Sequence, residues 1–424
     1  MSKTTDKTKS SAKATAQKPI PLGQKQTRAK PAESRNDPSD LEAPKNLGDG
    51  CIAFELKEVR ARVGVALDVL STAKQLDAED AAVNSVLIDF RKDNVISIRY
   101  VHAGAYACVN VIGKVFKPAA FVVDAGLFRA IRGNSPFVYL SVNKQSNAVE
   151  FRCGTTKGSV QLLASAKEYL LACPEPLHED AKTVVLPRAL VVDTFSRLLF
   201  PSFDPGIPAM GLPLNMTSTK TGLIVTSNDN IVGAVYRLPN HKGDRFKAVV
   251  PGQSFIRIVK NMPFETVKCS FSEKTFRVRC IGLDVIHPVI VYDLVDLLTW
   301  LAEDEAGKPD FELLLNTNEF VDALDSAMCM STLDKTETKL TVEFGGDGKG
   351  KILFLGSNTQ SKSTFAIAKT LKSGKEQTII TNGKRILSFV SLLKGFKTFR
   401  LRVSKGRAYL FSPDQTFTFL VPLS

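Results

Sequence analysis

Between residue 49 and the C-terminus the same order of patterns occurs three times, and such a repeat restricts the chain to architectures that reuse one small unit. Each unit opens with a short strand and an amphipathic helix. In the first, FELKEVRARVGVALDVLSTAK, the residues Val59, Val63, Ala66, Leu67 and Leu70 recur at helical spacing and give one apolar stripe. The second opens with LPRALVVDTFSRLLF and the third with TNEFVDALDSAMCM, where Thr317 is the expected N-cap. An alternating stretch follows in each, read as a three-strand meander with turns at RKDN, TSTKTG and GGDGKG. A shorter second helix comes next: VDAGLFRAIRG, VPGQSFIRIVKNM and TNGKRILSFVSLLKG. Two or three more strands close each unit, in the third TFRLRVSKGRAYLFS and TFTFLVPLS.

One strand–helix–meander–helix–strand unit written three times predicts an α+β fold, each domain with two helices packed on antiparallel sheets. Two acidic, Pro-containing segments, CPEPLHEDAKT and AEDEAGKPD, read as exposed linkers. They divide the chain into a tail, 1–48, and units at 49–180, 181–306 and 307–424. The tail has almost no large apolar side chains and cannot bury enough surface to offset its ordering entropy, which predicts disorder. Its first 36 residues carry nine Lys or Arg against two acids. Solubilising linker, weak phosphate attraction and receptor-read address all remain open for it. The chain as a whole carries +13 on 424 residues, which favours a polyanionic partner without specifying a fold. Seven scattered cysteines without a CxxC fit reduced thiols in an intracellular protein. The N-terminus is polar from its first residue, unlike a signal peptide. The most apolar long stretch, 285–302, is interrupted or flanked by Asp284, Asp293 and Asp296, which excludes a membrane span.

No catalytic constellation stands out, and no enzyme, metal or cofactor is expected. GGDGKGKI approaches a phosphate-binding loop, but Ile352 occupies the position of the magnesium-binding Ser or Thr, and a strand pattern follows it. The four histidines are isolated from one another and from metal-ligand spacings, and no GxSxG elbow exists. The second helices do share a feature: each ends in a cation, Arg132, Lys260 or Lys394, followed by Gly133, Asn261 or Gly395. Helix termination alone accounts for this, since cations favour the negative end of the helix dipole. A cation held there also suits a phosphate.

The threefold order, the second-unit opening VLPRALVVDTFSRLLFPSFDPGIPAMGLPLNM, the strand VTSNDNIVGAVYRL and the C-terminal FLVPLS together resemble the bacterial-type DNA sliding clamp, the β subunit of the replicative polymerase, and its phage relatives. The resemblance covers about residues 51–424 and rests on repeat order more than on identity. It implies a DNA-clamp fold and a non-enzymatic, head-to-tail homodimeric ring with helices lining the hole. It further implies a processivity factor in the cytoplasm, at the nucleoid or a viral replication site, with duplex DNA, a polymerase and a clamp loader as partners. Cations on the helices become candidate DNA contacts: Arg60, Arg62, Arg129, Arg132, Arg197, Arg257, Lys260 and Lys394. A client-peptide pocket between the second and third units would take its walls from Pro263, Val267, Phe419, Val421, Pro422 and Leu423. This sequence departs from the family's His-Arg pair at Ile231 and Val232 and ends in Ser424 where the family is basic and apolar. A clamp-fold protein binding the side of DNA as a monomer, a scaffold or virion protein, and a hydrolase are the competing readings.

Overall fold

The computed structural model describes residues 41–45, 47–60, 62–64, 66, 85–90, 94–102, 105–133, 135–163, 166–172, 182–200, 212–220, 222–239, 241, 245–262, 264–289, 294–334, 339–345, 347–355, 359–372 and 378–423. Residues 1–40 of the basic tail lie outside these. The strands form three sets of eight. The first set holds β1 (Gly50–Glu55), β2 (Ser85–Asp89), β3 (Val95–His102), β4 (Ala105–Lys117), β5 (Ala120–Asp124), β6 (Phe137–Asn143), β7 (Ala148–Cys153) and β8 (Thr156–Gln161). The second holds β9 (Lys182–Pro187), β10 (Pro213–Ser218), β11 (Gly222–Asn228), β12 (Gly233–Pro239), β13 (Lys247–Pro251), β14 (Thr266–Phe271), β15 (Thr275–Cys280) and β16 (Leu283–Pro288). The third holds β17 (Phe311–Asn316), β18 (Lys339–Phe344), β19 (Lys349–Leu355), β20 (Gln360–Lys372), β21 (Thr378–Asn382), β22 (Thr398–Ser404), β23 (Arg407–Phe411) and β24 (Phe417–Pro422).

The pairing repeats with the order. In the first set the first strand pairs the fourth and the sixth, the sixth to eighth run as a meander, and the second pairs the third and the fifth. The third set reproduces all of these pairings. The second set is divided instead: β9 and β14–β16 extend the first twelve-stranded sheet, and β10–β13 belong to the other. The join is the same at both boundaries. The eighth strand of one set pairs, antiparallel, with the fourth strand of the set before it. Thus β16 lies on β4, with Leu283 opposite Val109 and Ile286 opposite Tyr106. Likewise β24 lies on β12, with Gly233 opposite Leu420 and Tyr236 opposite Phe417.

Among the described residues two helical segments recur in each set, besides the helices Ala166–Ala172 and Leu297–Ala306, and several differ from the sequence expectation. The first unit's opening helix is described from Leu56, with Leu56, Val59, Val63 and Ala66 buried. Leu67 and Leu70 lie outside the described residues. The second unit's opening helix is a π turn, Leu190–Thr194, followed by a 3-10 turn, Phe195–Leu198, over a β-branched run that crowds an α-helix. The third is a full helix, Thr317–Asp334. Its cap is Asn316 and not Thr317: the Glu319 backbone N–H donates to Asn316 Oδ1 at 3.4 Å, and Asn316 Nδ2 donates back to Glu319 Oε1 at 3.0 Å, while Thr317 is buried. The second helices are Leu127–Ala130, Gly252–Lys260 and Gly383–Leu392. Each is preceded by a short strand, β5, β13 or β21, that the meander reading does not include.

The second linker is exposed at Ala302, Glu303, Ala306, Lys308 and Asp310, but it is not an irregular connection. Its residues 302–306 belong to a helix, Leu297–Ala306, capped by Asp296, that packs across the join of β12 and β24. Leu297 and Leu301 bury against Val235, Tyr409, Phe411 and Leu420. A Cβ on Gly233 would strike Leu297, so glycine there permits the close approach. Asp304, 2% exposed, is the polar anchor. Its Oδ2 accepts from the Tyr409 hydroxyl and from Arg407 Nη1 at 3.1 Å, and Lys405 Nζ stands 3.3 Å from Oδ1. Arg402 Nη2 donates to the Asp304 and Gly307 carbonyls at 2.7 Å, and Arg407 also lies over the Trp300 ring, 4.4 Å from its centroid. Burial alone would push the Asp304 carboxyl up, but hydrogen bonds from Tyr409, Lys405 and Arg407 outweigh it and hold the carboxyl below its usual range.

Asp304→Asn should therefore cost about 2–3 kcal/mol, because it strands cations that are half withdrawn from water. Chemical denaturation at pH 7 measures this. A group with a lowered folded pKa contributes above its unfolded value, about 3.9, and loses that contribution as pH falls through the folded value. The gap between wild type and variant should close in that acid range, and a gap independent of pH would reject the assignment.

Candidate nucleic-acid interface and inter-unit seams

The three helix-end cations stand in comparable places. Lys260 is the last residue of its helix, whereas Arg132 and Lys394 lie two residues beyond theirs; all three are exposed. Where the sequence predicts that the first helix runs to Arg132, it stops at Ala130, because buried Ile131 turns to extended backbone. The opening helical segments support these ends. Arg60, on the first unit's opening helix, donates to the Ile131 carbonyl. In the second set Arg188 Nη2 donates to the Lys260 carbonyl at 2.7 Å. Both arginines thus satisfy carbonyls that a helix end leaves without partners. The sequence reading did not single out Arg188. Only the pairing of two helices 72 residues apart reveals it.

The remaining candidate cations divide. Arg197 and Arg257 are exposed, and so is Arg60 despite its contact. The side chain of Arg129 lies outside the described residues. Arg62 is spent on the join between the first and second sets. It pairs with Glu58 at 2.6 Å and donates to the Asn110 carbonyl at 2.6 Å, while Asn110 N–H donates to the Gly282 carbonyl at 2.9 Å. Gly282 has φ +75°, and a Cβ there would collide with the Arg62 guanidinium.

The C-terminal residues predicted as pocket walls also divide. Phe419 and Val421 are fully buried core. Phe419 belongs to an aromatic ladder crossing the seam of the second and third sets. Its centroid distances are Phe195–Tyr236 6.3 Å, Tyr236–Phe417 5.1 Å, Phe417–Phe419 6.2 Å, Phe419–Phe389 5.0 Å and Phe389–Phe200 5.0 Å. Arg197 lies over Phe417 at 6.0 Å. Pro422 and Leu423 are half-buried, and Leu423 N–H donates to the Gly406 carbonyl at 2.8 Å. Val267 is buried in β14, in the other sheet from β24, and Pro263 lies outside the described residues. Tyr236, Phe389 and Phe417, which carry the seam, were not among the predicted walls.

Residues 209–286 match the family model described as DNA polymerase III beta subunit, N-terminal domain. A sliding clamp from Bacillus subtilis superposes with a TM-score of 0.73 at 15% identity, covering 89% of this chain and 99% of that one. The DNA polymerase III beta subunit of Thermotoga maritima gives 0.72 at 12%, covering 88% and 99%. A sliding clamp from Pseudomonas aeruginosa gives 0.72 at 12%, also covering 88% and 99%. The fold is that of the bacterial DNA sliding clamps. No curated protein matches by sequence. The N-terminal-domain model falls on strands β10–β16, inside the second set of this clamp fold, as repeated units allow.

Among the described residues no three His, Cys, Asp or Glu side chains come together to hold a metal, and no helix is long and apolar enough to cross a membrane. The GGDGKGKI segment is a hairpin turn between β18 and β19, with Gly345 N–H donating to the Lys349 carbonyl at 2.8 Å.

Phe419→Ala tests the ladder. A fully buried ring truncated to Ala should cost about 3–5 kcal/mol in denaturant unfolding. A loss below about 1 kcal/mol would mark Phe419 as a yielding surface wall instead.

Proposed function

We propose that this chain is a DNA sliding clamp: two copies close head to tail around duplex DNA and tether a replicative polymerase to it. One observation carries the reading. Eighth strand on fourth strand is the joining rule at both internal seams, and it leaves one of each unused. β8 ends its sheet with only β7 beside it, and β20 pairs β17 and β19 but has no counterpart of the β16 that lies on β4. These two edges are complementary, and a second copy offers each the strand it lacks. β7 and β8 are joined by two residues, as are β15 and β16, so Thr156 corresponds to Leu283 and Ser159 to Ile286. The matching register sets Ser159 opposite Gln360 of the second copy, because Tyr106 and Gln360 hold the same place in the pairings of the first and third sets.

In this reading the cations after the second helices, Arg132, Lys260 and Lys394, face the duplex with Arg60, Arg129, Arg197 and Arg257 around them. Phosphate contacts carry no base information, so they hold DNA without stopping it. Retention is topological, and each contact can be weak. Clients, polymerase and loader peptides among them, dock at the seam of the second and third sets, where Pro422 and Leu423 are half-exposed beside the Phe417–Phe419 ladder. The clamp does no chemistry of its own and works in the cytoplasm, at the nucleoid or at a viral replication site. Arg62 serves the first seam in this account and not the DNA.

Two measurements test it. Light scattering should give a particle of about twice 46.3 kDa. The oxidised Ser159→Cys/Gln360→Cys double variant should form a covalent dimer, and that dimer should remain on nicked circular DNA and slide off once the circle is linearised. A strict monomer, or salt-sensitive binding that ignores DNA topology, would replace this reading with side-on binding. The Arg132→Ala/Lys260→Ala/Lys394→Ala variant should lower the slope of log affinity against log salt by about 0.9 for each lost phosphate contact. An unchanged slope would remove these three from the interface.

A further inference from the structure

Away from the second-helix ends and the seams, the β10–β11 turn and the entry to β13 form an open notch of about 540 Å3. Among the described residues its lining is Thr217, Ser218, Thr219, Lys220, Arg245, Phe246 and Lys247, with three cations, three hydroxyls and no acid. That size lies within the range of small-ligand sites, about 300–1,000 Å3. The floor is rigid. Ser218 N–H donates to the Phe246 carbonyl at 2.8 Å, Thr219 N–H donates to the Gly222 carbonyl at 2.8 Å, and the Phe246 ring stacks on Phe271 at 5.5 Å.

The informative atom is Ser218 Oγ. Ser218 is 4% exposed, and its hydroxyl has no hydrogen-bond partner. A buried hydroxyl left unpaired costs about 1–3 kcal/mol, and here it lines a concavity ringed by cations. The neighbouring hydroxyl of Thr219 is already used, donating to the Gly222 carbonyl at 3.2 Å. The nearby acid Asp296 keeps its charge and acts on Lys247 from one side. Its Oδ1 accepts from Leu298 N–H at 3.0 Å and its Oδ2 from the Thr299 hydroxyl at 2.8 Å. Lys220 and Arg245 bring the notch to a net positive charge.

We propose that this notch is an oxyanion site that binds a phosphate group, with Ser218 Oγ donating to one oxygen and Lys220, Arg245 and Lys247 supplying the charge. Arginine forks and lysine point charges are the usual phosphate partners, and a tetrahedral anion can accept from several sides at once. The phosphate can come from a nucleic-acid backbone or from a free phosphate or nucleotide. The assignment does not depend on ring closure.

The test uses the full chain. Inorganic phosphate, titrated at constant ionic strength against chloride and acetate controls, should raise the melting temperature along a saturating curve. In Lys220→Ala/Lys247→Ala the phosphate affinity should fall about tenfold or more, as expected for lost charge-assisted contacts. Ser218→Ala should weaken phosphate while leaving the unliganded melting temperature at or above that of wild type, which separates lost binding from lost folding. A fluorescent oligonucleotide distinguishes the sources. If phosphate displaces it from wild type and the double variant binds it more weakly, the ligand is a nucleic-acid backbone. If the double variant loses phosphate but keeps the oligonucleotide, the ligand is a free phosphate or nucleotide. No saturable shift, an equal shift with acetate, or a shift retained by the double variant overturns the proposal.

Discussion

Strand edges are what this molecule must solve first. An open edge presents a row of backbone donors and acceptors that need partners. The chain meets this by laying the eighth strand of one set along the fourth strand of the set before. The second set shows how far the dependence goes. β9 and β12 are not paired to each other, so that set has no continuous sheet of its own and its halves are held by neighbours on either side. Cohesion between units is therefore backbone hydrogen bonding of the same kind that holds each unit together, not contact between finished surfaces.

The two seams add different side-chain chemistry to one backbone rule. At β4–β16 an arginine does the locking, with Arg62 reaching the Asn110 carbonyl over the bare backbone of Gly282. At β12–β24 both sheet faces are sealed. Phe389, Phe417, Phe419 and Tyr236 fill one face, and the helix Leu297–Ala306 covers the other through Leu297, Leu301 and the Asp304 cluster. The β4–β16 seam is packed on both faces as well: Tyr106, Cys108 and Ile286 bury together on one face while Ala107, Val109, Leu283 and Val285 enter the main core on the other.

What was legible in the sequence was what local physics writes down. The three meanders follow from alternation and from turns such as GGDGKG. The repeat follows from their order, and the core follows from stripes such as Leu56, Val59 and Val63. What was not legible depends on partners far along the chain. AEDEAGKPD has the composition of an exposed linker, and only Tyr409 and Arg407, about a hundred residues on, make Asp304 a buried anchor. Phe419 looks like a costly apolar terminus until Phe389 is stacked on it. The same holds for the cations: Arg62 and Arg197 look alike in sequence, but one is locked into a seam and the other stays exposed. The short strands before the second helices, AFVVD, KAVVP and TIITN, were missed because a five-residue strand running straight into a helix reads as its flank.

The proposed DNA contacts and the proposed phosphate notch make opposite demands. A duplex that must slide needs cations that are solvated, individually weak and free of directional partners, because any deep well along the path slows movement. Arg132, Lys260 and Lys394 fit that description: they are exposed, and the helix dipole adds only about 0.3–1 kcal/mol to each. The notch is built the other way, with a rigid floor, a buried hydroxyl awaiting an acceptor and several cations converging on one volume. Such a site would stall a sliding duplex if it lay on the path, so in a working clamp it belongs off that path, where holding one phosphate in place does no harm.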